Sequence, residues 1–225
     1  MSHDLRNPLS TLRMGVEMLV HHEDLKPAGL KTVLRIQHTL EHMVRLVNDL
    51  LDFTQARLGN GLPVARAPMN LHDVVRQVVE ELRMTSADRQ IEVEAHGDGQ
   101  GAWDPDRVGQ ATLNLVTNAL KYSPPDGPVR VRTRGERDHV VLEVFNLGEP
   151  IAPVALPRLF EPLRRSSSHV DRSGRSVGLG LYIVKQIAAA LGGTIDVASS
   201  AGTGTTFTLA LPRGERPPRT DGAVG

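Results

Sequence analysis

The first stretch of the chain sets apolar side chains at alternating intervals of four and three. Leu5, Leu9, Leu12, Val16 and Leu19 form one such row; Val33, Ile36, Leu40, Met43, Val47 and Leu50 form a second, which Thr54 continues. This is the period of a helix with one apolar seam, so two helices are predicted. Asp24 to Gly29, with Pro27 and Gly29, suits the connection between them. A lone hairpin buries two seams poorly, whereas two copies bury them in a four-helix bundle. The pattern therefore predicts a twofold homodimer, the alternative being a hairpin packed on the rest of its own chain.

After Gly59-Asn60-Gly61 the period changes. Leu71 to Met84 reads as an amphipathic helix with Asn70 as its N-cap, and Asp104 to Tyr122 as another with Pro105 in its first turn. Leu179 to Leu191 is a third, more apolar helix. Ile91 to Ala95 reads as a strand. Val129 to Thr133 and Val140 to Phe145 alternate like paired strands around a polar turn, and Thr194 to Val197 with Thr205 to Leu211 reads as a closing hairpin. Helices on one face of a mostly antiparallel sheet follow, so the fold class is α+β: a helical hairpin and then an α/β sandwich. The predicted domains are 1–60, 61–213 and a Pro-, Gly- and Arg-rich tail, 214–225, expected to be disordered.

Composition narrows the function. Lys+Arg and Asp+Glu balance at 26 each, which argues against a nucleic-acid surface or a polybasic membrane anchor. Aromatic residues are 3 %, so Leu, Val, Ile and Ala must build the core. With no cysteine there are neither disulfides nor thiolate metal sites. No apolar run approaches a membrane span and no signal-peptide pattern opens the chain, so a cytoplasmic location is expected.

Ser2-His3-Asp4-Leu5-Arg6-Asn7 offers candidate chemistry. His3 falls off the leucine seam, and an exposed neutral imidazole is a competent nucleophile near neutral pH. Asp4 beside it can orient the ring and take up its proton. Asn7, one turn on, can position a water. Such a pair is also common on ordinary helix surfaces. Asn114 and Asn118, four apart, with Lys121 three further on, share one face of an otherwise apolar helix. Carboxamide oxygens for a hard cation and an ammonium for phosphate charge suit a Mg-polyphosphate; a solvated polar stripe is the plainer reading. Asn146 to Ile151 (through Gly148), Gly174 to Leu181 (through Gly178, Leu179 and Gly180) and Gly202 to Thr206 (through Thr205) are glycine-bearing. In each, backbone N–H groups could approach phosphate. Glu161 to Val177, with Arg164, Arg165, Arg172 and Arg175, reads as a long polar loop of the kind that serves as a lid.

In this order and spacing the segments resemble the boxes of bacterial sensor histidine kinases. Ser2 to Leu9 is similar to the phosphoacceptor box and Asn114 to Tyr122 to the asparagine box. Asn146 to Ile151 resembles the first glycine box, Leu159-Phe160-Glu161-Pro162 the phenylalanine box, and Ser176 to Leu181 and Gly202 to Thr206 the later glycine boxes. The resemblance covers roughly residues 1–212. It implies ATP and Mg2+ as ligands, His3 as phosphoacceptor and Asp4 as its acid–base partner. Asn118 with Asn114 would hold the metal, Lys121 would meet the phosphates, and Tyr122 would border the adenine or ribose. The segment 161–177 would be the ATP lid. It also implies a response-regulator receiver domain as partner, with Asp4 and Asn7 placed for a phosphatase activity as well. The first helix of the family begins well before its histidine, so the resemblance further implies that this chain is part of a longer kinase, with His3 in a fraying first turn. Four positions depart from the family pattern: Asn146 for the usual Asp, Pro150 and Ser176 for Gly, and Leu163 for a second Phe. Two other readings are a gyrase-type ATPase that uses water, and a nucleotide-binding dimerisation scaffold without phosphohistidine. Asn114 argues against the ATPase, which tends to carry an acidic residue there.

Overall fold

The computed structural model describes residues 11–12, 14–16, 18–19, 27–59, 61–163 and 178–214. The chain divides into two compact units, Met1–Gly59 and Asn60–Gly225.

In the first unit the described residues between 11 and 19 are helical, and helix α1 runs Pro27–Arg57. Pro27 opens this helix instead of sitting in the connection. Its missing N–H is one that a first turn leaves unpaired in any case, and Gly29 is carried inside the helix. The apolar rows split in two. Val16, Val33 and Leu40, 6–9 % exposed, pack on one another and close the hairpin. Leu12 and Leu19, and Ile36, Met43 and Leu50, are each about half exposed. Their spacing of seven marks a second apolar strip that the hairpin itself leaves uncovered.

The second unit holds, in order, β1 (Ala67–Asn70), α2 (Leu71–Thr85), β2 (Ile91–His96), β3 (Gln100–Trp103), α3 (Pro105–Tyr122), β4 (Val129–Gly135) and β5 (His139–Asn146). A 3-10 turn (Leu156–Arg158), α4 (Gly180–Ala190), β6 (Thr194–Ser200) and β7 (Gly204–Pro212) follow. The main sheet has the order β2-β4-β5-β7-β6; β2 and β4 are parallel and the other three pairings antiparallel. Strand alternation gives the sheet two unlike faces. Val129, Val131 and Thr133 of β4 are buried while Arg130, Arg132 and Arg134 face solvent. The arginines pair with Glu92, Glu94 and Glu136 at 2.8–3.0 Å. The hydrogen bond from Arg132, first among several causes, holds the Glu94 carboxyl below the usual carboxylate range. Exposed pairs of this kind contribute little to stability but keep that face wet. The three helices cover the other face. Leu71, Val75 and Val79 of α2, Val108, Leu115 and Val116 of α3, and Ile183, Val184 and Ile187 of α4 are fully buried there with Leu142, Val144, Phe207 and Leu209.

The Asn70 cap is the one that the sequence predicts, whereas Asp104, expected as the first helical residue, is itself the N-cap of α3. Asn70 accepts from His72 N, and Asp104 accepts from Asp106 N and Arg107 N ahead of Pro105. Asp104 also accepts from Ala65 N at 2.7 Å, which stitches the segment before β1 to the start of α3.

Strands β1 and β3, which the periodicity does not predict, form a separate antiparallel pair. They are four residues each and contain Pro68 and Gly101, so no alternation announces them. Distant residues hold the pair in place. Trp103 Nε1 donates to Pro212 O at 2.7 Å, and Ala102 N donates to Arg213 O. The Arg213 guanidinium, at the end of β7, donates to Asp98 O, Gln100 O and Glu136 O. Arg213→Ala leaves three carbonyls without their charged donor and is expected to cost this unit about 2–3 kcal/mol. Urea unfolding followed by circular dichroism measures it, and an unchanged midpoint would show that the clasp is ornamental.

Candidate functional site

On α3, Asn114, Asn118, Lys121 and Tyr122 are all half-buried, flanking the buried row Ala111, Leu115 and Ala119. The Asn114 amide donates to Gly180 O at 3.4 Å, which ties α3 to the first residue of α4 and leaves Oδ1 as an acceptor. The Asn118 side chain makes no hydrogen bond to another described residue. Lys121 Nζ lies 4.8 Å from the centroid of the Tyr122 ring.

The C-terminal turn of this helix is braced from outside. Arg89 donates to Leu120 O at 2.9 Å, to Pro124 O at 3.2 Å and to Ser123 Oγ. A cation at a helix C-terminus meets the negative end of the macrodipole as well as unpaired carbonyls. This fixes the turn that carries Lys121 and Tyr122. The sequence reading does not single out Arg89. An arginine in a polar stretch before a strand gives no local signal for a contact made some thirty residues away.

Asn146 ends β5 and is 3 % exposed; its Nδ2 donates to Leu147 O at 3.1 Å. The chain then crosses the end of α3 so closely that a Cβ on Gly148 would lie 2.3 Å from Tyr122 O. Across the sheet, Thr205 is the register partner of Asn146 on one side and of Ser199 on the other. The Thr205 and Ser199 hydroxyls are 2.7 Å apart, and Ile151 N donates to Ser199 Oγ at 2.9 Å. The first-glycine-box segment, the end of β5 and the start of β7 thus form one hydrogen-bonded corner next to Tyr122. Ser199 is a member that the sequence reading misses. The symmetric spacing of Ser199 and Thr205 about the Gly202 turn is the signal that would have found it.

Two further contacts frame the corner. The Phe160 ring meets Phe207 edge-on, centroids 6.4 Å apart, and so fixes the segment after the 3-10 turn to the core. Leu163 N donates to Gly178 O at 3.0 Å, with Leu163 at φ 60° and Gly178 at φ 75°. Helix α4 starts at Gly180, with Leu179 buried and Leu181 half-buried, and among the described residues no side chain caps its N-terminal N–H groups. Uncapped N–H groups with the positive end of the helix dipole suit a phosphate.

Asn114 and Gly180 are therefore in contact, as are Tyr122 and Gly148; Asn146 and Thr205 are paired across the sheet, and Ile151 joins that corner through Ser199. Thr206 is the exception among the expected residues. Strand alternation puts its side chain on the outer face, level with Phe145 and Ala198, so its hydroxyl is not part of the corner. His3, Asp4, Asn7, Arg164 and Arg165 lie outside the described residues, as does the tail apart from Gly214.

Comparison with known proteins gives two family matches. Residues 1–59 match the His Kinase A (phospho-acceptor) domain, and residues 103–215 match the histidine kinase-, DNA gyrase B-, and HSP90-like ATPase. The chain is 36 % identical over 213 residues to the sensor histidine kinase CusS of Escherichia coli O157:H7, an overlap of 94 % of this chain and 44 % of CusS. Among solved structures, a mycobacterial sensor histidine kinase, MprB, aligns with TM-score 0.58 and 30 % identity over 68 % of this chain and 100 % of that one. Full-length ShkA in complex with AMPPNP aligns with TM-score 0.68 and 29 % identity over 94 % of this chain and 44 % of that one. The chain spans less than half the length of the curated relatives it matches.

Proposed function

This chain belongs to the bacterial sensor histidine kinases, and from that premise we propose that it transfers the γ-phosphoryl group of ATP to His3 and passes it on to an aspartate of a response-regulator receiver domain. The observation that carries the reading is the corner just described. The helix bearing Asn114, Asn118 and Lys121 touches the start of α4 through Asn114 and, at its end, the segment after the Asn146–Thr205 pair through Tyr122 and Gly148. An elongated ligand with a polyphosphate end and a planar, hydrogen-bonding end matches those two poles.

The residues fit the roles that the family implies. Asn118, with Oδ1 of Asn114, holds Mg2+ through neutral oxygens. Lys121, the N-terminal N–H groups of α4 at Gly178 to Leu181, and Arg164 and Arg165 meet the phosphates. Tyr122, Gly148, Ile151 and Phe160 border the nucleoside, and Asn146 and Thr205 read its base. Phosphoryl transfer needs in-line positioning and charge neutralisation more than covalent work by the protein. His3 supplies the attacking nitrogen and Asp4 takes up its proton; Asn7, with Asp4, serves the hydrolysis of the phosphorylated regulator.

The uncovered strip of Leu12, Leu19, Ile36, Met43 and Leu50 supports a homodimer in which two hairpins form a four-helix bundle. No described helix is long and apolar enough to cross a membrane. A cytoplasmic site of action for this part of the protein belongs to the same proposal.

Incubation with γ-labelled ATP and Mg2+ tests the function. Label retained on the chain at alkaline pH and lost in acid is expected. Phosphate released without a labelled chain would favour a water-using ATPase, and nucleotide binding without either would favour a scaffold. A second test concerns Gly148. Gly148→Ala drives a methyl group against Tyr122 O and is expected to weaken ATP binding about tenfold, since overpacking of this kind costs on the order of 1–3 kcal/mol. Titration calorimetry reads it, and unchanged affinity would remove this crossing from the binding site.

A further inference from the structure

We propose, resting on the nucleotide reading above, that Ser199 is a positioning residue that sets the base preference of the site by fixing the direction of the Thr205 hydroxyl. The argument is one of donors and acceptors. The Asn146 amide nitrogen gives one of its two N–H groups to Leu147 O, which anchors the amide and leaves Oδ1 as its acceptor. Opposite it, Thr205 carries a hydroxyl that can either give or take a hydrogen bond.

Ser199 decides between these states. Its Oγ already accepts from Ile151 N at 2.9 Å and lies 2.7 Å from Thr205 Oγ1. Having accepted one hydrogen bond, Ser199 is polarised to donate its own proton to Thr205, because hydrogen bonds in a chain reinforce one another. Thr205 then directs its own proton outward. The order is Ile151 N–H to Ser199, Ser199 O–H to Thr205, and Thr205 O–H to the ligand, directly or through one water.

The corner therefore offers an acceptor from Asn146 beside a donor from Thr205. Adenine matches it, with an exocyclic amino group that donates beside a ring nitrogen that accepts. Guanine presents the reverse, a carbonyl oxygen beside a ring N–H. Asn146 and Thr205 are only 3 % and 5 % exposed. A mismatched base thus leaves buried polar groups unpaired, and that is where discrimination is largest. Asn146, an amide in place of the family's usual carboxylate, still offers an acceptor in Oδ1, with its nitrogen anchored on Leu147 O.

The test compares ATP with GTP on the whole chain, by competition against a fluorescent ATP analogue, for the parent, Ser199→Ala and Ser199→Thr. The parent is expected to prefer ATP. In Ser199→Ala, ATP affinity should fall about tenfold and the ATP-to-GTP ratio should contract by at least as much. Ser199→Thr should restore both. Inorganic tripolyphosphate should compete equally with all three proteins, because the phosphate end is untouched. If Ser199→Ala does not fold, Ser199→Cys, a weak donor of similar size, is read by the same ratio. An unchanged ratio in a folded variant overturns the assignment of Ser199 and leaves the kinase reading standing. A parent that binds no nucleotide overturns both.

Discussion

A protein with His3 replaced by Gln is expected to bind ATP as the parent does and to retain no acid-labile phosphate. The two halves of this result separate because the chain is built in two units. Every described member of the nucleotide corner, from Asn114 to Thr205, belongs to the second unit, and His3 to the first. The substitution keeps a polar side chain of comparable size while removing the only property that the reaction uses. Imidazole has a basic ring nitrogen with a free lone pair near neutral pH, whereas the carboxamide nitrogen has its lone pair delocalised and does not attack phosphorus. Labelling is therefore expected to fall to background, without the partial activity that loss of an assisting group would leave. Acid-labile phosphate remaining on the Gln variant would mean that another histidine is the acceptor, and besides His3 the chain has eight to choose from.

The second large effect is expected at Asn118. Asn118→Asp should weaken Mg-ATP binding by about tenfold to a hundredfold. A carboxylate is a good ligand for a hard cation, so the sign is not obvious from the metal alone. The complex of Mg2+ with a triphosphate is itself negative, however, and the added charge would sit among phosphate oxygens. At about 5 Å and an effective dielectric constant near 20, one such charge pair is worth roughly 3 kcal/mol, only partly offset by attraction to the cation. Asn118 offers an oxygen without that charge, and no hydrogen bond to a described residue competes for it. Titration of ATP with and without Mg2+ reads the effect. Undiminished affinity in Mg2+ would place the metal elsewhere.

Much of this was legible in the sequence because it is local. Asn70 and the Asp104-Pro105 pair announce the starts of α2 and α3 within a few residues, and the cap geometry is what those residue types favour. The polar face of α3 is likewise set by helical spacing alone. What escaped depends on partners distant in the chain. β1 and β3 are held by Trp103, Pro212 and Arg213 and have no pattern of their own. Arg89 acts through carbonyls at the far end of another helix. Ser199 and Thr206 turn on strand register, where a shift of one residue exchanges the two faces. The apolar rows of the hairpin were visible as rows, but their division into a buried set and an uncovered set needed the helices in place.

Trp103 is the chain's single tryptophan, fully buried and hydrogen-bonded to Pro212 O. Its intrinsic fluorescence therefore reports the ATPase-type unit alone, and the hairpin, with neither Trp nor Tyr, is optically silent under the same excitation. Because the indole sits where β3 meets the end of β7, its emission should shift to the red when that clasp opens, ahead of any change in the helical signal. The protein thus carries a built-in, label-free optical gauge with which melting of one half can be followed while the other is dimerised, phosphorylated or bound to a partner.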